Sequence, residues 1–538
     1  MDNPPPVVSE SRVNRLDPPV PYESLPALVD AAAQRFGAAP LWVSIDEDRT
    51  TISFAGFARD TLKCANALYA LGVRPGTHVS VMLPNVPAYC ITWIALARLG
   101  AVMVPVNMQY TSRELEYVLR DSDSTFLVID ESTLPVFTGI ADGKAIIPPA
   151  QLVIHGKGDA QYPGWQKTVD AASDTPPVVP APNADTLVSI QYTSGTTGFP
   201  KGCMLTQDYW LVLGWVRAHQ GPYPQRLMID RPLSYMGGKW RFLIALYIGS
   251  VACISQRFSL SQLQQRLIDH QIDFFSVTDA VAKLEPHPEI GKVKFAWISS
   301  GGLSKDLQRG AEEKFHAPVR ELYGMTEIGS TLYMPIADTH TVGSGSCGLP
   351  APYRDCRIVG VDGQDVPQGK TGELWVRGRG ILKGYYNKPE ATRSAFSGEW
   401  FRTGDLFRQD EQGYFYIEGR IKESIRRSGE NIAAREIESV AASIPGVLET
   451  AAVPVPDDKR GEEVKLVVAL QPGFTPEQVT PAQVISHCEA GLAAFKVPRY
   501  IEYIAEFPRT TSGKIAKHEL VKDAGKRQVY DRAANAWH

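Results

Sequence analysis

The stretch TLVSIQYTSGTTGFPKG, from Thr186 to Gly202, joins an apolar run to a loop of glycines and hydroxyl-bearing side chains. The β-branched run predicts a buried strand. In the loop, glycines let backbone amides turn toward a ligand, hydroxyls add donors, and the lysine adds a positive charge. A strand that enters such a loop predicts a phosphate-binding site rather than a flexible polar loop. The residues of this predicted site are Thr193, Ser194, Gly195, Thr196, Thr197, Gly198 and Lys201.

This loop does not follow the common nucleotide-binding template, in which a glycine is followed by four residues and then by Gly-Lys-Ser/Thr. Five positions after Gly195 the chain has Pro200 instead of the second glycine. Taken alone, the loop therefore predicts phosphate binding without saying which phosphate compound is bound.

Strand-like runs of β-branched and aromatic residues recur on both sides of the loop. They are HVSVMLPN, AVMVPVN, TFLVID, LVSIQY, VACISQ and FAWISSGG. Helical segments lie between them, such as residues 88–99 and SKDLQRGAEEKFH, for which Ser304 is the predicted N-cap. This alternation predicts an α/β fold in which helices cover mainly parallel sheets.

The second part of the chain has a different pattern. From about residue 355, short strands with Gly- and Asp-containing turns predict a small β-rich subdomain at about 350–421. After Arg420, helix-like and strand-like segments alternate in a compact tail, long enough for an independent domain. We predict a large N-terminal domain at 1–421 and a small α+β C-terminal domain at 422–538.

Composition excludes several classes of protein. The chain has 538 residues and a net charge of −4, so no basic field indicates a nucleic-acid partner. Its seven cysteines are scattered singly, without metal-binding spacing, which favours reduced thiols in the cytoplasm. The longest apolar run, AYCITWIALA, is shorter than the ~20 residues of a membrane span and predicts a buried helix. The proline-rich N-terminus lacks a signal-peptide core and predicts an extended arm.

Further polar clusters follow the loop along the chain. They are SSGG, with Gly301 and Gly302; ELYGMTE, with Glu321, Tyr323, Gly324, Thr326 and Glu327; RTGDL, with Asp405; GRIKESIRRSGEN, from Gly419; and PRTTSGK, with Lys514. Each cluster alone has an ordinary structural interpretation, namely a surface charge, a turn residue or a solvated helix face.

Together, the loop, YGMTE, TGD, GR followed by SGEN, and PRTTSGK resemble, in order and spacing, the AMP-forming acyl-CoA synthetases of the adenylate-forming superfamily. The resemblance extends from about residue 25 to residue 522. The segments SGEN and AAFKVPRYIEYIAEFPRTTSGKI are most similar to the carnitine/crotonobetaine and medium-chain branch of these ligases.

The resemblance implies a two-step reaction with ATP, Mg²⁺ and CoA. A carboxylate attacks the α-phosphate of ATP, pyrophosphate leaves, and a thiol then attacks the acyl-AMP. It also implies roles at the nucleotide. The loop and Lys201 hold the outer phosphates, Glu327 holds Mg²⁺, Thr326 reaches the α-phosphate, Tyr323 and Gly324 lie at the adenine, Gly301, Gly302 and Glu321 border the nucleotide, and Asp405 binds the ribose with Arg420 assisting.

The same resemblance gives the C-terminal domain two tasks. Lys514 bridges the carboxylate and α-phosphate oxygens in the first step, so the domain closes over the site. It then rotates to present another face for thioester formation. The residues implied are Lys422 at the hinge, Arg426 facing the adenylate, and Ser428 and Gly429 beside the CoA thiol.

The acyl pocket is where the sequence departs from its relatives, in DRPLSYMGGKWRFL. Tyr235 takes the position of a histidine, and Gly237 and Gly238 are expected to free volume. Arg241 has two interpretations. It either pairs with a carboxylate such as Asp230 or Asp279, or binds a polar or anionic group of the acid. A trimethylammonium acid is disfavoured beside Lys239 and Arg241. Gly324 also borders this pocket.

The expected partners are therefore a small carboxylic acid of fatty or aromatic type, ATP and CoA, without nucleic acid and without a membrane span. The acid itself and the oligomeric state, including a homodimer, stay open. The alternatives are an adenylation enzyme that loads a separate carrier protein, a luciferase-like oxidation, and a non-catalytic nucleotide-binding protein. CoA-dependent product with release of pyrophosphate distinguishes the ligase from all three.

Overall fold

The computed structural model describes thirteen parts of the chain. They are residues 17, 19–46, 49–157, 161–193, 200–301, 303, 305–421, 424–427, 430–457, 460–492, 494–510, 514–522 and 527–538.

Helices and strands alternate over most of these residues. The helices are α1 (Leu25–Phe36), α2 (Phe54–Ala70), α3 (Pro87–Leu99), α4 (Ser112–Asp121), α5 (Leu134–Thr138), α6 (Gly143–Ile146), α7 (Trp165–Asp170), α8 (Gln207–Ala218), α9 (Met236–Ile248), α10 (Leu263–Asp269), α11 (Asp279–Ala282), α12 (Lys305–Phe315), α13 (Pro389–Ala395), α14 (Ala434–Ala442), α15 (Pro481–Gly491) and α16 (Lys517–Lys522). The strands are β1 (Pro40–Ser44), β2 (Thr51–Ser53), β3 (His78–Met82), β4 (Val102–Pro105), β5 (Phe126–Asp130), β6 (Leu152–His155), β7 (Leu187–Thr193), β8 (Lys201–Thr206), β9 (Arg226–Ile229), β10 (Val251–Ile254), β11 (Phe274–Val277), β12 (Trp297–Ser300), β13 (Val319–Met325), β14 (Gly329–Tyr333), β15 (Ser346–Pro350), β16 (Arg354–Val359), β17 (Gly372–Gly378), β18 (Phe396–Ser397), β19 (Trp400–Gln409), β20 (Phe415–Arg420), β21 (Ser424–Arg427), β22 (Glu430–Ala433), β23 (Val447–Asp457), β24 (Gly461–Leu470), β25 (Tyr500–Tyr503), β26 (Val529–Asp531) and β27 (Ala536–Trp537).

A six-stranded sheet, counted over the described residues, has the order β6-β5-β3-β4-β7-β8. Strands β3 to β7 are parallel, and β8 runs antiparallel to β7. Its strands are continuous apolar runs, since helices cover both faces of a parallel sheet. Strand β5, for example, buries every residue from Phe126 to Ile129.

A larger sheet has the order β16-β17-β19-β20-β15-β14-β13-β12-β11-β9-β10-β1-β2, with β18 paired to β19. Its middle, from β13 to β1, is parallel. The β-rich segment predicted at about 350–421 forms antiparallel strands that continue one end of this sheet. The fold is therefore mixed α/β, as predicted.

The C-terminal strands form a separate sheet with the order β22-β21-β24-β25-β26-β27, and β23 pairs with β24. Helices α14 and α15 cover a core of aliphatic side chains, including Ile425, Ile437 and Ile501. This α+β unit touches the larger sheet through α14, β22 and β20. The domain boundary near residue 421 and the hinge at Lys422 stay predictions, because Lys422 lies outside the described residues.

Most local predictions are confirmed. The run AYCITWIALA lies in α3, whose residues from Ala88 to Leu99 are all buried. Among the described residues, no helix is both long and apolar enough to cross a membrane. The predicted N-cap Ser304 and residues 1–16 of the arm lie outside the described residues. The described end of the arm contacts the protein, since the backbone N–H of Tyr353 donates to Asp17 at 3.0 Å.

Candidate active site

Thr193, Gly301 and Thr326 lie at the carboxyl ends of the parallel strands β7, β12 and β13, the edge at which open α/β sheets bind ligands. Strand β7 ends at Thr193, and β8 begins at Lys201, which pairs with it across the antiparallel ladder. The two ends of the predicted phosphate loop are therefore held side by side. The rest of that loop lies outside the described residues, namely Ser194, Gly195, Thr196, Thr197 and Gly198.

Glu327 lies in a buried polar cluster next to this loop. The hydroxyl of Tyr385 donates to its Oε1 at 3.1 Å. The ammonium of Lys201 lies 4.3 Å from the centroid of the same tyrosine ring. Burial raises the pKa of Glu327 above its ordinary value, while Tyr385, Lys201 and Arg420 act in the opposite direction. Thr326 is fixed beside it, because its carbonyl oxygen accepts from the Tyr209 hydroxyl at 2.8 Å.

This environment fits a magnesium ion. Among the residues that the structure describes, no group of three or more His, Cys, Asp or Glu side chains could hold a metal ion by itself. Mg²⁺, however, usually takes one or two carboxylates and completes its shell with phosphate oxygens and water. Glu327 supplies one buried carboxylate beside a lysine, where phosphates are expected.

Asp405 is the centre of a second polar cluster. Its Oδ2 accepts from the hydroxyl of Tyr323 at 2.7 Å. Its Oδ1 accepts from Nε of Arg420 at 2.8 Å, across the β19–β20 pair. Asp405 is 2% exposed. Burial and, after it, the nearby Asp405 carboxylate hold the pKa of Tyr323 well above its usual range. Both clusters thus have their charged and polar groups oriented by protein partners.

The hairpin of β13 and β14 carries the YGMTE residues at this edge. Glu321 accepts through Oε1 from the Ser300 hydroxyl at 2.8 Å and from the backbone N–H of Leu303 at 3.0 Å. It thereby fixes the segment that contains Gly301, whereas Gly302 lies outside the described residues. Gly324 is required by the hairpin, since a Cβ there would lie 2.1 Å from the Gly329 carbonyl oxygen.

On the acyl side, Tyr235 and the two glycines differ in what they contribute. The hydroxyl of Tyr235 accepts from the Asn107 amide at 2.8 Å. A Cβ on Gly237 would meet only side-chain atoms at 3.7 Å or more, so this glycine leaves room. A Cβ on Gly238 would lie 3.0 Å from the backbone of residues 231–233. The expectation that Gly238 frees volume for the acid is therefore wrong.

Arg241 is 3% exposed and lies between α9 and the ends of β11 and β12. One terminal nitrogen donates to the carbonyl oxygen of Gly237 at 2.8 Å. The other donates to the Ser276 hydroxyl, which is hydrogen-bonded to Ser299. The guanidinium carbon lies 4.7 Å from the centroid of the Trp240 ring.

Neither of the two carboxylates considered for Arg241 pairs with it among the described residues. Asp230 is close enough to raise the pKa of Arg241, but desolvation is stronger and lowers that pKa to about 10. Asp279 interacts instead with Lys283 and Arg435. The Nε of Arg241 is buried and, in the described part of the chain, has no acceptor.

The sequence predicts Lys239 beside the acid, whereas the structure encloses its side chain among protein groups. It is fully buried, and its ammonium donates to the Gln191 side chain at 2.7 Å. Gln191 in turn donates to the Ser234 carbonyl oxygen at 2.8 Å. The lysine nitrogen lies 4.9 Å from the Trp210 ring centroid and 5.7 Å from that of Trp93. Desolvation lowers the pKa of Lys239 to about 7.

Lys514 belongs to the C-terminal unit and lies just before α16. Its side chain is exposed, and its backbone N–H donates to the Thr510 hydroxyl at 3.2 Å. Arg426 is on β21, but its side chain lies outside the described part of the structure. The other predicted residues of this domain also lie outside it, namely Lys422, Ser428 and Gly429.

Three residues that contact the site were not predicted from the sequence: Tyr385, Tyr209 and Arg217. Tyr385 is 58 residues from Glu327 in the chain, and Tyr209 is 117 residues from Thr326. Partners this distant leave no local pattern. The adjacent tyrosines after Gly384, in KGYYNKP, were the one signal that could have identified Tyr385.

Comparison with known proteins identifies the class of this α/β site. The family described as AMP-binding enzyme matches residues 29–386, and the AMP-binding enzyme C-terminal domain matches residues 436–514. A sulfoacetate–CoA ligase from Cupriavidus necator is 33% identical over 526 residues, which cover 95% of this chain and 99% of the relative. A feruloyl-CoA synthase from an Amycolatopsis species is 29% identical over 502 residues, covering 91% and 98%.

Solved structures agree with this class. ATP-bound MatB from Rhodopseudomonas palustris has a TM-score of 0.82 at 26% identity, covering 92% of this chain and 98% of that one. The o-succinylbenzoate CoA synthetase MenE from Bacillus subtilis, in complex with its acyl-adenylate, has a TM-score of 0.79 at 25% identity, covering 92% and 97%.

The fold and site thus define an adenylate-forming enzyme. The chain belongs to the AMP-binding enzymes. It is an acid–thiol ligase that uses ATP, Mg²⁺ and CoA to convert a carboxylic acid to its acyl-AMP and then to the thioester.

Proposed function

We propose that the two buried clusters and Lys514 carry out this two-step reaction. In the first step a carboxylate oxygen bonds to the α-phosphorus of ATP, and the bond to pyrophosphate breaks. In the second, the CoA thiol loses its proton and bonds to the acyl carbon while AMP leaves. The observation that supports the assignment best is the buried Glu327, hydrogen-bonded by Tyr385 beside Lys201 where the β7–β8 loop begins and ends.

The geometry supports a role for each residue at the nucleotide. Asp405, oriented by Tyr323 and Arg420, accepts hydrogen bonds from the ribose hydroxyls. The ring of Tyr323 borders the adenine, and Gly301 and Gly324 let backbone approach it. Glu321 keeps the strand end after Ser300 in place.

At the phosphates, Thr193, Lys201 and the loop between them hold the leaving pyrophosphate. Glu327 would hold Mg²⁺, which neutralises charge on the phosphates when bound. The backbone carbonyl of Thr326 is fixed by Tyr209, and its hydroxyl would donate to the α-phosphate. These groups position and neutralise rather than react covalently.

Lys514 completes the first step from the C-terminal domain. Its ammonium stabilises the negative charge that develops between the carboxylate and the α-phosphate. Since the same domain is expected to present another face for thioester formation, we expect it to move about a hinge at Lys422 between the two steps. A second orientation then places Arg426 at the adenylate, and Ser428 and Gly429 beside the thiol.

The acid is a small molecule held between α8, α9 and the ends of β11 and β12. The relative from Cupriavidus acts, by its name, on sulfoacetate, an acid with a second anionic group. The Amycolatopsis relative is named for an aromatic acid. Both kinds of acid therefore belong in the substrate panel.

The cellular setting stays a set of predictions. We expect a cytoplasmic enzyme, either monomeric or a homodimer, without a nucleic-acid partner. Transfer to a separate carrier protein instead of CoA is the alternative for the second step.

The test is pyrophosphate release with ATP and Mg²⁺ across fatty, aryl, dicarboxylic, sulfonated and betaine acids, with and without CoA. We expect one class of acid to give CoA-dependent turnover and a thioester. Release of pyrophosphate without any thioester would contradict the CoA assignment and favour a carrier protein. Failure of every acid, with ATP binding intact, would contradict the assignment of the site residues.

A further inference from the structure

Two guanidinium groups contact one indole ring on the acyl side. The guanidinium carbon of Arg241 lies 4.7 Å from the Trp240 ring centroid, and that of Arg217 lies 5.1 Å from it. Arg217 is the penultimate residue of α8 and is 8% exposed. It donates to the Gln220 side chain at 3.1 Å, which in turn donates to Ser330 at 3.4 Å. Two like charges are thus buried together.

Among the described residues, the positive charge of this pair is offset only in part, by the buried Asp230 near Arg241. In the described part of the chain, neither arginine forms an ion pair with a carboxylate, and the Nε of each is buried without an acceptor. Desolvation lowers the pKa of Arg217 to about 9, with the charge of Arg241 as the second cause. A buried cation without a counter-charge is strongly unfavourable.

Structural arginines elsewhere in this chain look different. Arg320 is 1% exposed, and Nε and both terminal nitrogens each donate to a carbonyl or to Glu312. Arg354 is 6% exposed, and all three of its nitrogens donate to backbone carbonyls. All three nitrogens of Arg320 and of Arg354 are therefore hydrogen-bonded by the protein, whereas the Nε of Arg217 and of Arg241 is not.

The arginine pair is connected through neighbouring side chains to Thr326 and to the end of β12, which the proposed function places at the nucleotide. Tyr209, on the same helix as Arg217, donates to the Thr326 carbonyl oxygen at 2.8 Å and lies 3.9 Å from the sulfur of Met236. Arg241 folds back along α9 to the carbonyl of Gly237, the residue after this methionine. Its other nitrogen donates to Ser276, which is hydrogen-bonded to the β12 residue just before Ser300.

We propose that Arg241 and Arg217 bind a second anionic group of the acid, a carboxylate or a sulfonate, beside Trp240. The inference rests on the proposed function and gives it a substrate class, namely short acids with an anion at the far end. Arginine forms strong, directional hydrogen bonds with such groups. Gly237 leaves the room, since a Cβ there would lie 3.9 Å from the nearest nitrogen of Arg241.

The test compares matched acids in the wild type and in three variants. Each series keeps the chain length: propionate, malonate and sulfoacetate, then butyrate, succinate and 3-sulfopropionate. Arg241→Met and Arg217→Met remove one charge with little loss of volume, and Arg241→Lys keeps the charge without the planar donor pair. Arg393→Met, at an exposed arginine of α13, is the control. The readouts are kcat/KM for pyrophosphate release, the Kd for ATP and the Tm.

We expect the wild type to prefer an acid with two anionic groups. In Arg241→Met its kcat/KM should fall on the order of 100-fold, as for truncation of one partner of a buried charge pair. The kcat/KM of the acid without a second anionic group and the Kd for ATP should change little. A smaller fall is expected for Arg217→Met. Arg241→Lys should lie between Arg241→Met and the wild type. The malonate and sulfoacetate results identify which anion the pair takes.

Two outcomes would overturn the inference, and they differ in what else they remove. If only propionate and butyrate, which lack a second anionic group, are turned over, and every variant has the same preference, the inference is overturned and the proposed function stands. Absence of turnover with any acid, while ATP still binds, overturns the proposed function and the inference with it. If Arg241→Met fails to fold, the preference of Arg217→Met and Arg241→Lys decides.

Discussion

The nucleotide side and the acyl side of this site are built in opposite ways. At the nucleotide, Asp405 accepts from Tyr323 and Arg420, and Glu327 accepts from Tyr385. On the acyl side, the buried Nε of Arg241 has no acceptor among the described residues. ATP is the same ligand in every reaction cycle, so the side chains that bind it can be fully oriented by protein partners. The acyl side can instead leave a buried positive charge that a particular acid neutralises when it binds.

We expect the largest loss of activity from a change at Lys514, which lies in the C-terminal unit and belongs to neither the nucleotide side nor the acyl side. Lys514→Ala should lower kcat for pyrophosphate release by about 10²- to 10³-fold, the loss typical of removing one charge-stabilising group. The Kd for ATP should change little, because the proposed nucleotide contacts lie on the two larger sheets rather than on the C-terminal unit. Thioester formation from synthetic acyl-AMP and CoA should persist, since it does not need the first-step orientation.

The control for this variant is Lys522→Ala, at an exposed lysine of α16 in the same domain. It should keep wild-type rates in both half-reactions. Equal loss of both half-reactions in Lys514→Ala would contradict the division of tasks between two orientations of the domain.

The nucleotide side can be tested through Glu327. Glu327→Gln keeps the shape and removes the charge, so the Mg²⁺ concentration for half-maximal rate should rise by at least about 10- to 100-fold, the loss seen for weaker, outer partners of a metal. Burial raises the pKa of Glu327, so the wild-type rate should fall on acidification at a higher pH than for an ordinary glutamate. Mg²⁺ titration and a pH profile of kcat/KM measure both effects.

Tyr385→Phe sharpens this test. It keeps the ring beside Lys201 but removes the hydroxyl that lowers the pKa of Glu327. The acid limb of the profile should therefore shift to still higher pH. An unchanged limb in both variants would show that the limb belongs to another group.

Alanine substitutions at Gly324 and Gly301 distinguish a glycine that the fold requires from one that only a bound nucleotide would require. Gly324→Ala places a Cβ 2.1 Å from the Gly329 carbonyl oxygen and should destabilise the protein by about 1–3 kcal/mol. Gly301→Ala meets its nearest atom at 3.9 Å, so its Tm should equal that of the wild type. If the nucleotide lies against this segment, the KM for ATP should rise in Gly301→Ala alone. Thermal unfolding and ATP kinetics measure the pair.

Local sequence patterns predicted the elements but not the long-range partners. The apolar runs that form β5 and β12 are buried in the sheets, because period and composition are local properties. The partner of Arg241, Ser276, is 35 residues away and carries no signal of its own. The misplacement of Lys239 has a geometric cause. It and Arg241 are two residues apart on α9, which turns the side chains by about 200°.

Lys239 can therefore be compared with Arg241, because it is a buried cation on the same helix whose ammonium is held by protein groups. Its pKa of about 7 lies below the ordinary value, so between pH 7 and the unfolded pKa of about 10.4 the unfolded chain binds the extra proton. Wild-type stability should therefore rise with pH in this range, by up to about 1.4 kcal/mol per pH unit from this group.

Lys239→Met removes this titration and should flatten the rise, which urea midpoints at pH 7.5 and 9.0 can measure. Its absolute stability combines loss of the penalty for burying a charge with loss of the donor to Gln191, so only the slope is diagnostic. Lys370→Met, at an exposed lysine, should keep the wild-type slope. An unchanged slope in Lys239→Met would mean that this lysine stays protonated in the core. The indole rings and Gln191 would then stabilise its charge without a counter-ion, and lack of a carboxylate would no longer distinguish Arg241 as a ligand-binding cation.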